Sequence, residues 1–107
     1  MLIYRNKYAI ACENERSVTI YMDLFHVSGG HEKGLPEGYK FSWIAFDLLE
    51  PGPRILFDSH APKGPHLHVD SDPVGVPYQW VSLDEAEKFF FDKVQERFGK
   101  FVKEELR

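Results

Sequence analysis

Apolar residues recur at every second position in "SVTIYMDLFHV", residues 17 to 27, but at every third or fourth in "SLDEAEKFFFDKVQERFGKFVKEELR", residues 82 to 107. That change of period limits the available folds more than any other feature. Val18, Ile20, Met22 and Leu24 alternate with Thr19, Tyr21 and Asp23, as in a strand with one buried face. Leu83, Ala86, Phe90, Val94, Phe98 and Phe101 instead form one stripe of an amphipathic helix, with Glu85, Lys88, Asp92, Lys93, Glu96 and Lys100 opposite. Ser82 and Glu85 make an S-x-x-E capping box, which sets the start of the helix. The helix is expected over roughly residues 83 to 104, with Gly99 weakening it by about 1 kcal/mol relative to alanine and marking a place for a bend or an end.

The other segments read as strands and turns. "LIYRNKYAIAC" is rich in β-branched and aromatic residues and joins the first alternating run through "ENER", a hairpin-sized link. His26 falls on the apolar side of that run and reads as a core or edge residue. "SGGHEKGLPEG" has four glycines and reads as a mobile connection, with His31 solvated in it. "YKFSWIAFDLLE" is apolar throughout, as suits a central strand, and "EPGP" is expected to turn the chain after it. "VPYQW" reads as an edge strand whose rings pack under the helix. No helix-length crossover separates the strands, so parallel βαβ units are excluded. The expectation is a single α+β domain over residues 1–107. It has a mainly antiparallel sheet of four to five strands packed against one long C-terminal helix.

Nine Phe, five Tyr and two Trp supply enough apolar surface for a packed core. A formal charge of −4 argues against a protein that wraps nucleic acid by bulk electrostatics. The single cysteine, Cys12, rules out an intrachain disulfide and a multi-cysteine zinc site, and reads as a buried small hydrophobe. The chain opens with no signal segment and has no apolar run of membrane-spanning length, so a cytoplasmic protein without membrane contact is expected.

Three of the five histidines lie in "RILFDSHAPKGPHLHVDSD", residues 54 to 72. Alternation puts Ile55, Phe57 and Ser59 on one face, with Arg54, Leu56, Asp58 and His60 on the other. Beyond the five-residue "APKGP" turn, Leu67 and Val69 share a face, opposite His66, His68 and Asp70. A symmetric hairpin would set His60 across from His66 and Asp58 across from His68, gathering imidazoles and carboxylates on one face. Such a face supports three chemistries. An Asp58-oriented imidazole can act as a general acid or base. His60, His66, His68 and Asp70 could instead ligate a divalent metal such as zinc. A purely structural polar network in a tight turn is the third.

The same hairpin resembles the TumE-type toxin family of bacterial and archaeal toxin–antitoxin loci. The matching residues are Phe57, Asp58, His60, Pro62, Pro65, His66, His68 and Val69, followed by the helix start "SLDEAEKFF". The likeness covers roughly residues 40 to 100. It implies a small α+β domain that cleaves RNA without a cofactor and has a cognate antitoxin partner. His60, His66, His68 and Asp58 would then carry the chemistry, while Arg54 and Lys63 offset phosphate charge. The alternatives are a non-catalytic metal- or ligand-binding module and a protein-interaction domain anchored by Trp43, Trp80 or Tyr78.

Overall fold

Hairpin-length links between alternating segments leave the chain little choice but to fold back on itself at each turn. The computed structural model describes residues 1–60 and 63–102 and shows that meander. Strands β1 (Leu2–Ala11), β2 (Ser17–His26), β3 (Tyr39–Asp47), β4 (Glu50–His60), β5 (Gly64–Val69) and β6 (Val76–Pro77) lie side by side in sequence order, every neighbour antiparallel. Helix α1 (Leu83–Phe98) covers one face. The α+β class is as expected, but the sheet has six strands rather than four or five. The sixth is only a two-residue edge piece of "VPYQW".

Period-2 alternation builds the core. Val18, Ile20, Met22 and Leu24 are buried, opposed across the sheet by Ala45, Trp43 and Phe41, and then by Ile55, Phe57 and Leu67. From the helix come Ala86, Phe90, Val94 and Phe98, with the Phe90 ring 5.7 Å from that of Trp43. Burying each such side chain contributes about 1.5–3 kcal/mol, which is why the helix docks in this rotation. The Ser82 hydroxyl accepts from the Glu85 backbone N–H at 3.2 Å, half of the expected capping box.

Three boundaries differ from expectation. The helix ends at Phe98, because Gly99 adopts φ 108°, which no helix allows. Phe101 therefore leaves the helical stripe and forms an isolated antiparallel bridge with Cys12, just past the end of β1. The last two residues of the expected helix, 103 and 104, lie outside the described residues. "EPGP" does not turn the chain. The turn is at the exposed Leu48 and Leu49, and the two prolines run within β4 where its ladder with β3 is irregular. Proline is tolerated there because no ladder hydrogen bond is required of it. The connection 28–38 carries two 3₁₀ turns, Gly30–Lys33 and Pro36–Gly38.

Candidate functional site

The helix occupies one face of the sheet, so every second residue of β4 and β5 points away from the core. On that outer side a cleft of about 230 Å³ is lined by Asp58, His60, Lys63, His66 and His68, with Pro73 and Val74 at its rim. The three histidines and Asp58 are thus brought together as expected, with Lys63 beside them, but Asp70 is not among them. The expected register is absent. Asp58 stands opposite His66, Ser59 opposite Pro65, and His60 opposite Gly64, two residues away from a symmetric closure around "APKGP". A shift of two preserves which face each side chain takes, so the histidines still share a side.

Each of the two β5 histidines is anchored through the same ring nitrogen. His66 Nδ1 lies 2.8 Å from the Gly64 carbonyl oxygen, and His68 Nδ1 lies 3.0 Å from that of Asp72. A carbonyl only accepts, so in both rings Nδ1 carries the hydrogen and Nε2 is left to exchange protons. The ring centroids are 6.5 Å apart. His68 Nε2 is 4.0 Å from Asp58 Oδ1, a buried oxygen without a hydrogen bond among the described residues. Asp58 and His68 are diagonal neighbours rather than the direct pair expected.

The clamp on His68 comes from residues outside the hairpin. Asp72 accepts the Val74 and Gly75 N–H groups at 3.0 and 3.2 Å, closing the 72–75 turn that aims its carbonyl at the ring. Gly75 lies against the imidazole. A Cβ there would stand 2.8 Å from His68 Cε1 and 2.9 Å from Nδ1. The signal for this turn was an Asp-Pro-x-Gly run, although nothing local ties it to His68.

Two expected members lie elsewhere. Asp70 takes φ 56°, which swings its carboxylate away from the histidines to Arg97 of α1, whose Nε and Nη2 donate at 3.0 and 3.2 Å. This donation, with that of the Arg54 N–H, holds the Asp70 carboxyl below the usual carboxylate range. Arg54 donates its Nε to the Asp70 carbonyl at 2.9 Å and does not line the cleft. Asp70 is therefore lost from the suggested set, while His60, His66 and His68 stay on the cleft. Among the described residues no three His, Cys, Asp or Glu side chains are grouped so as to hold a metal ion.

The remaining candidates are structural. Trp43 is fully buried and cannot anchor a partner. Tyr78 packs on Phe57 and Phe89 at centroid distances of 5.1 and 4.5 Å, and Trp80 packs on Phe41 at 5.9 Å. Burial raises the Cys12 thiol above its ordinary value, which suits a core residue rather than a nucleophile. His26 lies exposed at the end of β2, paired with Tyr39 and outside the core, and His31 is exposed in the first 3₁₀ turn. A larger groove of about 500 Å³ runs between β5, β6 and α1, but no histidine lines it. Among the described residues no helix is long and apolar enough to cross a membrane. The chain matches no family model, no curated protein and no solved structure.

Proposed function

We propose that the chain is a small TumE-like toxin domain that cleaves RNA in the cytoplasm by metal-independent transesterification. One observation carries the reading: His66 and His68 both donate Nδ1–H to fixed backbone carbonyls and line one cleft, so two oriented Nε2 atoms can act together. In the reaction, His66 Nε2 takes the proton of a ribose 2′-hydroxyl as its oxygen attacks the adjacent phosphorus. Protonated His68 Nε2 gives its proton to the departing 5′-oxygen, leaving a 2′,3′-cyclic phosphate and a 5′-hydroxyl end. A proton on His68 Nε2 also gives the buried Asp58 Oδ1 a nearby positive charge, which is the role assigned to that carboxylate. His60 and Lys63, which line the same cleft, offset phosphate charge. Arg54 is left out of this role because its guanidinium is engaged with Asp70. The likeness to the toxin family adds a cognate antitoxin as partner.

The test is cleavage of labelled single-stranded RNA by purified protein in the presence of a chelator. Cyclic-phosphate ends are expected, with the rate falling at least ~100-fold for His68→Ala and for Asp58→Asn while circular dichroism stays unchanged. A wild-type protein that cleaves no RNA, or variants that cleave as fast as wild type, would end the ribonuclease reading.

A further inference from the structure

The sheet face opposite α1 is open, and its charge runs against that of the chain. Register defines cross-strand rows on it. One row reads Lys7, Tyr21, Ile44, Leu56 and His68, and its neighbour reads Arg5, Asp23, Ser42, Asp58 and His66. Both rows start on a cation at β1 and end on a histidine of the cleft. Flanking rows add Lys40 beside Phe25, and Arg54 beside Phe46. These paired rows hold four Lys or Arg against two Asp, although acidic residues outnumber basic ones by 17 to 13 in the whole chain. Arg5 Nε donates to Asp23 at 3.0 Å and Arg54 Nε to the Asp70 carbonyl at 2.9 Å, so Lys7 and Lys40 are the cations of these rows without such a partner among the described residues.

Aromatic rings stand among those cations. Tyr21 and Phe46 stack at 5.9 Å with planes 15° apart, and Tyr21 is 40% exposed. Lys7 Nζ sits 5.4 Å over the Tyr21 ring, and Arg5 Cζ sits 5.8 Å over Phe25. An exposed cation–π contact is weaker than base stacking, so a phosphate can draw Lys7 aside and free the ring face for a base. An exposed Tyr21 ring and half-buried Phe25 and Phe46 rings, interleaved with cations on an open sheet, suit single-stranded nucleic acid, where rings stack bases and cations meet phosphates. An acidic peptide would use the cations and leave the ring faces idle.

We propose that this outer face is the binding platform for the single-stranded RNA substrate, an inference that rests on the ribonuclease reading above. The strand stacks on Tyr21 and Phe25, contacts Lys7 and Lys40 through its phosphates, and crosses the sheet to the cleft. From β2 to β5 is three strand spacings, roughly 14 Å at ~4.8 Å each, within the span of a short oligonucleotide.

The test is fluorescence anisotropy with a short 2′-O-methyl oligoribonucleotide, which has no free 2′-hydroxyl and cannot be cleaved. Wild-type protein should bind it with a log–log salt slope near −1.4, about −0.7 for each of two phosphates. Tyr21→Ala should weaken binding about tenfold. Lys7→Ala should reduce the magnitude of the slope by about 0.7. Lys88→Ala, on the helix, should change neither. Absence of binding, equal binding by Tyr21→Ala, or a duplex of the same sequence bound as tightly would overturn the proposal. A wild-type dimer that Tyr21→Ala converts to monomer would also overturn it by giving the face to a second copy. Binding without cleavage of ordinary RNA would sink the ribonuclease reading and support the platform. Cleavage that Tyr21→Ala and Lys7→Ala leave unchanged would do the reverse.

Discussion

Gly75→Ala tests the claim that the 72–75 turn positions His68. Gly75 has φ 75°, and a Cβ there would lie 2.8, 2.9 and 3.0 Å from His68 Cε1, Nδ1 and Nε2. Two costs follow. A left-handed backbone costs an alanine about 1–2 kcal/mol, partly offset by lower entropy in the unfolded chain, so about 1 kcal/mol net. The imidazole must also move, because two of its atoms, Cε1 and Nδ1, are inside the closest approach a Cβ makes and the third is at its limit. Losing the hydrogen bond from Nδ1 to the Asp72 carbonyl adds about 0.5–1.5 kcal/mol. The total is about 2 kcal/mol, or about 10 °C in Tm for a domain near this size.

Gly29→Ala is the matched control. Gly29 has φ 70° and nothing within 4 Å of a built Cβ, so it carries the backbone cost alone, about 1 kcal/mol. Urea unfolding of both variants isolates the ring displacement as the difference between them. Nitrogen-15 shifts of the imidazoles report the second half of the claim, since wild-type His68 should show the Nδ1–H tautomer and Gly75→Ala should lose it. Equal unfolding midpoints, with an unperturbed His68 ring, would refute the clamp.

Asp70→Asn should lower stability at neutral pH. The Arg97 pairing depresses the Asp70 carboxyl, so its contribution is full above the usual carboxylate range and vanishes as pH falls through the lower folded value. Urea midpoints of wild type and variant should therefore differ at pH 7 and converge towards pH 3, whereas a constant gap would contradict the assignment. Ser82→Ala should cost about 1 kcal/mol by freeing the Glu85 N–H, and loss of helical ellipticity on warming should begin earlier in the variant. No change in that onset would mean the cap is idle.

The strand faces were legible because alternation is local. Val18 to Leu24 and Ile55 to Ser59 each state their buried side without help from the rest of the chain. The helix start was legible from Ser82 for the same reason. Its end was not fully so, because apolar Phe101 continues the helical count on the page. What stops the helix is the backbone of Gly99 and the pull of a β-bridge from Phe101 to Cys12, a contact 89 residues distant in sequence. The prolines after Glu50 misled in the opposite direction. They signal a turn locally, yet the irregularity of the β3–β4 ladder at that very place accommodates them within β4.

The site divides along the same line. Histidines that share a face follow from parity, and parity survived because the hairpin closed two residues away from symmetry. A slip of one would have sent His66 and His68 into the core, where Leu67 now sits. Contacts between side chains do not follow from parity. Asp58 nears His68 across a diagonal, while Asp70, on the expected face by count, is turned to Arg97 by one left-handed residue. What fixes the His68 ring is a carbonyl four residues along, in a turn whose own hydrogen bonds hold it. The catalytic reading therefore depends on Gly75 as well as on the imidazoles. Residue types in "HLHVD" supply the imidazoles, but only the packing of "DPVG" against the ring determines which nitrogen of His68 is held by the Asp72 carbonyl and which is not.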